Sequence, residues 1–166
     1  MLISVDPGLT GTGIAVWDEH AQLDRALVVS CTTGAIEQRI ATIREEIRPH
    51  VSGRQLRDGV DPHQRLVIEV PQTYGGRAKK GDANSLLRLA ELVGSITSLS
   101  PRVERVLPRE WKRGMPDRIV KVRCLERLSS RELQRVDLDC SKKHQTDVWA
   151  AIGLGLWWLR RHQFRR

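Results

Sequence analysis

The chain has 166 residues, with 28 Lys and Arg against 20 Asp and Glu, a net charge of +8. Its 40% hydrophobic and 29% charged residues suit a globular domain that buries a core without disulfide or metal staples, and exclude a disordered chain. No apolar run approaches the ~20 residues of a membrane span, and Cys31, Cys124 and Cys140 form no C-x-x-C pair, which argues against zinc-finger frameworks and for a reducing compartment.

Leu2 to Val5 is a short apolar run ended by Asp6-Pro7-Gly8, the pattern of a central buried strand. The start, MLISVDPG, meets an Asp too early for a signal peptide. Gly8, Gly11 and Gly13 alternate with Thr10 and Thr12 in a turn, and Ile14 to Trp17 reads as a second strand. Asp18 to Asp24 is a polar turn before a third strand, Ala26 to Cys31, so the first three strands form an antiparallel meander. Thr33-Gly34 opens a helix whose Ile36, Ile40, Ile43 and Ile47 line one face, with Pro49 as its expected end. Val51 to His63 reads as a surface loop. Leu66 to Ile68 is a fourth buried strand ending in Glu69, and the intervening helix makes it parallel to a neighbour.

Val70 to Gly81 is a glycine-rich basic loop carrying Tyr74, Arg77, Lys79 and Lys80. Asp82 or Asn84 is placed to cap a following helix with Leu86, Leu89, Ala90, Val93 and Ile96 on one face. Val103 to Leu107 is a fifth strand stopped by Pro108. Pro116-Asp117 precedes a helix with Ile119, Val120, Cys124, Leu125 and Leu128 inward. Ser129 to Lys143 is polar. A last helix is expected from about Gln145 to Arg161, with Asp147 in its first turn and Val148, Ala151, Ile152, Gly155 and Leu159 on one side. The basic end, Arg160 to Arg166, suits a nonspecific phosphate contact or a solubilising tail. The element order implies an α/β domain over residues 1–166, a mixed sheet of about five strands with helices on its faces.

A pI near 10.1 points to a polyanionic partner. Few aromatic residues argue against a single-strand-binding module built on stacking platforms. Within this basic chain three acids stand where elements end: Asp6, Glu69 and Asp147. Parallel strands ending at one sheet edge would bring Asp6 and Glu69 together, where open α/β sheets bind ligands, and a docked helix start would deliver Asp147. Packed acids repel, so a hard divalent cation or raised pKa values must settle them. Two such ions serve phosphodiester hydrolysis. Each acid alone also suits a bland role: Asp6 as a turn former, Glu69 as an arginine partner, Asp147 as a helix-start acid. His144, three residues before Asp147, suits a metal ligand, a general acid or base, or a plain helix-start histidine.

Together, Ile3-Ser4-Val5-Asp6-Pro7-Gly8 with Thr12-Gly13, Val67-Ile68-Glu69, the Ala83 to Ile96 helix after a basic loop, and His144-Gln145-Thr146-Asp147 with Ala150 to Ile152 resemble RuvC-type Holliday-junction resolvases of the ribonuclease-H-like superfamily. The resemblance spans nearly the whole chain. It implies a ribonuclease-H-like five-stranded sheet with helices on both faces and a site holding two Mg²⁺ or Mn²⁺ ions on Asp6, Glu69, Asp147 and His144. It further implies a homodimer that nicks a four-way junction symmetrically in the cytoplasm of a bacterium or a virus-infected bacterium. Many members carry an Asp where this chain has His144, and Asp139 is a reserve acid. Lys112 and Lys121 resemble basic residues near the scissile phosphate, although both also suit solvated lysines. Tyr74 resembles an aromatic inserted at the junction crossover, two residues further from the Glu than usual, and also suits a packing lid. The Ala83 to Ile96 helix would be the dimer face, though its stripe, like the Trp157-Trp158 pair, also suits plain core.

Three other readings stay open. One is a phosphotransferase of the actin and sugar-kinase type, which also begins Asp-x-Gly-Thr on a hairpin but needs two such domains. Another is a non-catalytic branched-DNA binder on the same fold. The last is a nuclease of broader specificity, such as a ribonuclease H or an anti-termination nuclease relative.

Overall fold

The computed structural model describes residues 1–51, 64–72 and 83–163, with side chains to 160. Five strands, β1 (Leu2–Asp6), β2 (Gly11–Trp17), β3 (Leu23–Ser30), β4 (Arg65–Glu69) and β5 (Val103–Val106), form one sheet in the order β3-β2-β1-β4-β5. β1 and β2, and β2 and β3, are antiparallel. β1 and β4, and β4 and β5, are parallel. The expected meander and the parallel fourth strand are both present. The helices are α1 (Ile36–Val51), α2 (Ala83–Thr97), α3 (Pro108–Trp111), α4 (Asp117–Leu125), α5 (Ser130–Leu133) and α6 (Lys142–Gln163). Among the described residues none is long and apolar enough to cross a membrane.

Strand alternation divides the core. Ile3, Val5, Leu66 and Ile68 pack with Ile43, Ile47, Leu92 and Ile96 on the α1/α2 side. Leu2, Ala15, Trp17 and Val67 pack with Val120, Cys124, Ala151 and Ile152 on the α4/α6 side. Because Ser4 and Val67 face α6, the same period of two turns Asp6 and Glu69 to that side as well. Register reinforces this: Val5 pairs with Ile68, so Asp6 and Glu69 follow one step on, on strands about 4.8 Å apart.

Several element details differ from expectation. α1 runs through Pro49 to Val51, because a proline in the last turn costs one hydrogen bond and Ile47 and Val51 are fully buried. In α2 the core face is Leu92, Val93, Ile96 and Thr97, while Ala90 is exposed and Leu86 and Leu89 are half-buried, since two adjacent apolar stripes compete and the sheet selects one. In α4, Leu125 is exposed and Val120 and Cys124 turn inward. α6 starts at Lys142, which puts His144 in its first turn and moves Asp147 to its second. The polar Lys142-Lys143-His144 run hid that start.

α6 is held to the sheet by a buried polar contact. Ser4 Oγ donates to the Ala151 carbonyl at 2.8 Å and accepts from Trp17 Nε1 at 3.0 Å. Gly155 lies over the same pair, and a Cβ there would overlap both. Ser4→Ala leaves a fully buried indole N–H without its acceptor. It should therefore cost about 1–3 kcal/mol, read by urea denaturation as a lower midpoint at unchanged m-value. An unchanged midpoint would show that the contact contributes nothing.

Candidate active site

Asp6 ends β1 and Glu69 ends β4, at the carboxyl edge of the parallel pair. α6 brings Asp147 to the same edge. Gly13, the cross-strand partner of Asp6, lies against the Asp147 backbone, and a Cβ at Gly13 would overlap the Asp147 carbonyl. The His144 ring stacks over Gly11 in the same manner. Lys143 Nζ donates to Thr10 Oγ1 at 3.3 Å, tying the helix start to the β1–β2 turn. Residues far apart in the chain thus meet because the β2 backbone offers α6 a surface without side chains.

The half-buried acids act on one another. Burial raises the Asp6 carboxyl well above its ordinary range, Glu69 raises it further, Lys112 opposes, and Asp147 and Asp117 add to the rise. Burial also raises Glu69, against Lys112 and the Trp111 indole, which donates to Glu69 Oε2 at 2.6 Å. Asp147 is pushed up to about 6, by burial first, while Lys143 and Lys112 pull the other way. Burial alone would lower Lys112, but Asp6, Glu69 and Asp117 outweigh it and hold the ammonium charged. Lys112 Nζ sits 3.3 Å from Asp117 Oδ1 and 5.0 Å from the centre of the Trp111 ring.

Of the residues expected from sequence, Asp6, Glu69, Asp147 and Lys112 are therefore within electrostatic reach of one another, and His144 stands one helical turn from Asp147. Lys121 lies elsewhere, exposed on α4 with its ammonium 5.7 Å from the Trp149 ring. The reserve acid Asp139 is exposed, and its backbone N–H donates to Asp137 Oδ1. Tyr74, Arg77, Lys79 and Lys80, and residues 52–63, lie outside the described residues. Two members of the site were not anticipated. Trp111, from α3, orients Glu69, and Asp117, at the start of α4, anchors Lys112. The motif Pro108-Arg109-Glu110-Trp111, with its proline at a helix start, and Pro116-Asp117 were their only sequence signals.

Oxygen donors at one edge, each raised in pKa by burial and Asp6 further by Glu69 and Asp147, suit a hard divalent cation. Among the described residues no three His, Cys, Asp or Glu side chains close into a finished ligand set. The donor chemistry fits a metal, and Lys112 supplies the positive charge from within the protein.

No family model matches this chain, and no curated relative does. Solved structures do. Thermus thermophilus RuvC in complex with a Holliday junction substrate superposes with a TM-score of 0.63 at 14% identity, over 96% of this chain and 94% of that one. A second Thermus thermophilus RuvC structure gives 0.59 at 15% identity, over 97% and 96%. The fold is the RuvC-type, ribonuclease-H-like α/β fold.

In metal-free protein, the raised Asp147 keeps its proton between pH ~4 and ~6 while the unfolded chain has released it. Its contribution to stability therefore falls as pH rises through that window. Asp147→Asn should flatten this decline and raise Tm at pH 7 in chelator, by roughly 1 kcal/mol or about 2–4 °C once solvent screening is allowed for. A lowered Tm in calorimetry would contradict the electrostatic account.

Proposed function

We propose that this protein is a divalent-metal-dependent endonuclease that resolves four-way DNA junctions by paired, symmetric nicks. The observation that carries the reading is the convergence of Asp6, Glu69 and Asp147 at the carboxyl edge of β1 and β4, in a chain of net charge +8 with a RuvC-type fold. A basic surface draws in the polyanion, and the acids define where cleavage occurs.

Asp6, Glu69, Asp147 and His144 would hold two Mg²⁺ or Mn²⁺ ions. When bound, such ions supply an activated water and stabilise the leaving oxygen of a phosphodiester. The protein's own groups prepare that chemistry. The Trp111 indole fixes one Glu69 oxygen and leaves the other to coordinate. Lys112, kept charged by the acids and anchored by Asp117, balances the scissile phosphate. His144, its ring over Gly11, serves either in that ligand set or instead as the group that takes and returns a proton at the attacking oxygen. Tyr74, Arg77, Lys79 and Lys80, in the segment after β4, would contact the junction, with Lys121 on the flank. A homodimer would place two such sites on one junction. It would use α2, where Leu87 is 68% exposed. The reading places the protein in the bacterial or virus-infected cytoplasm.

Asp6→Asn should keep junction affinity within a few-fold in gel-shift assays. It should lower nicking more than about 100-fold, because even a metal ligand's hydrogen-bonding partner is worth roughly 10–100-fold. Mg²⁺ or Mn²⁺ should raise the Tm of the wild type and not of the variant. Normal nicking by the variant would refute the site. Comparison of a synthetic junction with a linear duplex, a flap and an RNA–DNA hybrid tests the substrate: equal cleavage of all four would refute junction specificity.

A further inference from the structure

Beside the acidic site, a cavity of about 630 Å³ opens between α3, α4 and the second half of α6. Its size is that of a ligand pocket. Lys112, Arg113, Arg123, Arg127 and Arg160 line it, and among the described residues no acid does. None of the four arginines forms an ion pair among the described residues. Met115, Val120, Leu156 and Trp157 give it an apolar wall.

Two features separate this cavity from an ordinary solvated basic face. Arg123, Arg127 and Arg160 converge closely enough that burial, Arg160 and Arg123 together pull the Arg127 pKa down, with only Cys124 and Glu126 opposing. Like charges converging on a concavity are the complement of an anion. In addition, Arg113 is held in the left-handed region, at φ 50°, in a turn closed by a Met115 N–H to Lys112 carbonyl bond. Such a backbone is unfavourable for any residue with a side chain. Here it puts a guanidinium on the cavity rim.

We propose that this cavity is a second nucleic-acid site, which takes a single strand of DNA leaving the acidic site. Its arginines engage successive phosphates and its apolar wall receives a base. The inference rests on the nuclease reading, because the strand enters past Lys112, the residue shared by both places. The apolar wall beside Trp157 favours an unpaired strand over a duplex, whose bases are not available to stack.

The test is fluorescence anisotropy with a labelled oligothymidylate and with a four-way junction, in EDTA, over a salt titration. Arg123→Gln, Arg127→Gln and Arg160→Gln combined should lower the slope of log K against log salt by about 2, at roughly 0.7–0.9 per phosphate. A variant of equal net charge, Arg25→Gln, Arg48→Gln and Arg102→Gln, changes exposed residues outside the cavity and should keep the wild-type slope. Circular dichroism checks that both fold, and Arg127→Gln alone should move the slope by less than one. A wild-type slope in the cavity variant, or an equal fall in the control, overturns the proposal. If the wild type still nicks junctions in Mg²⁺, the nuclease reading survives that failure. If the wild type binds neither probe, both readings fall.

Discussion

Gathering acids at one edge of a sheet is electrostatically unfavourable, and much of this structure exists to make it tolerable. Asp6, Glu69 and Asp147 each lose water on folding, and each is raised in pKa mainly for that reason. Lys112 opposes the rise in all three. Its own burial is offset in turn by Asp6, Glu69 and Asp117. The charges are mutually dependent: remove the lysine and the acids are crowded without compensation, remove the acids and the lysine is half-buried alone. The Trp111 N–H adds a hydrogen bond to the member that stands nearest α3.

That electrostatic unit is assembled by topology. Placing β1 beside β4 in parallel puts two strand ends side by side, and alternation sends both final side chains to the α6 face. Antiparallel pairing would have put the end of one strand beside the start of the other. The third acid comes from a helix rather than a strand, so its position depends on how α6 lies across β2 and β1. Ser4, Trp17 and Gly155 hold the middle of that helix, and Gly13 and Gly11 its beginning. The site is thus an edge of the sheet completed by one docked helix.

The strands were readable because short apolar runs bounded by Pro, Gly and Asp have few other interpretations, and the strand-ending acids were readable with them. Helix phase was harder to read. α2 carries more apolar residues than one face needs, so sequence alone did not separate Ala90 from Leu92. The start of α6 lies in a lysine pair with no apolar residue to mark a period, and Asp147 was therefore placed one turn too early. Trp111 and Asp117 were invisible as site residues for a different reason. Trp111 acquires its role by a hydrogen bond to a residue 42 positions earlier, and Asp117 by an ion pair to Lys112 across the tight turn at Arg113 and Gly114. The prolines at 108 and 116 mark helix starts in the sequence but not the partners those helices bring.

Where α6 meets β2, main chain rests on main chain. The contact at Gly13 engages the carbonyl of residue 147 and not its side chain, so what it demands of position 13 is only that nothing protrude. Peptide groups are common to every amino acid. A seam of this kind can survive wholesale replacement of the surrounding side chains, provided the bare position stays bare. It gives a physical route by which a chain sharing one residue in seven with another, 14% here, still superposes on it over nearly its entire length.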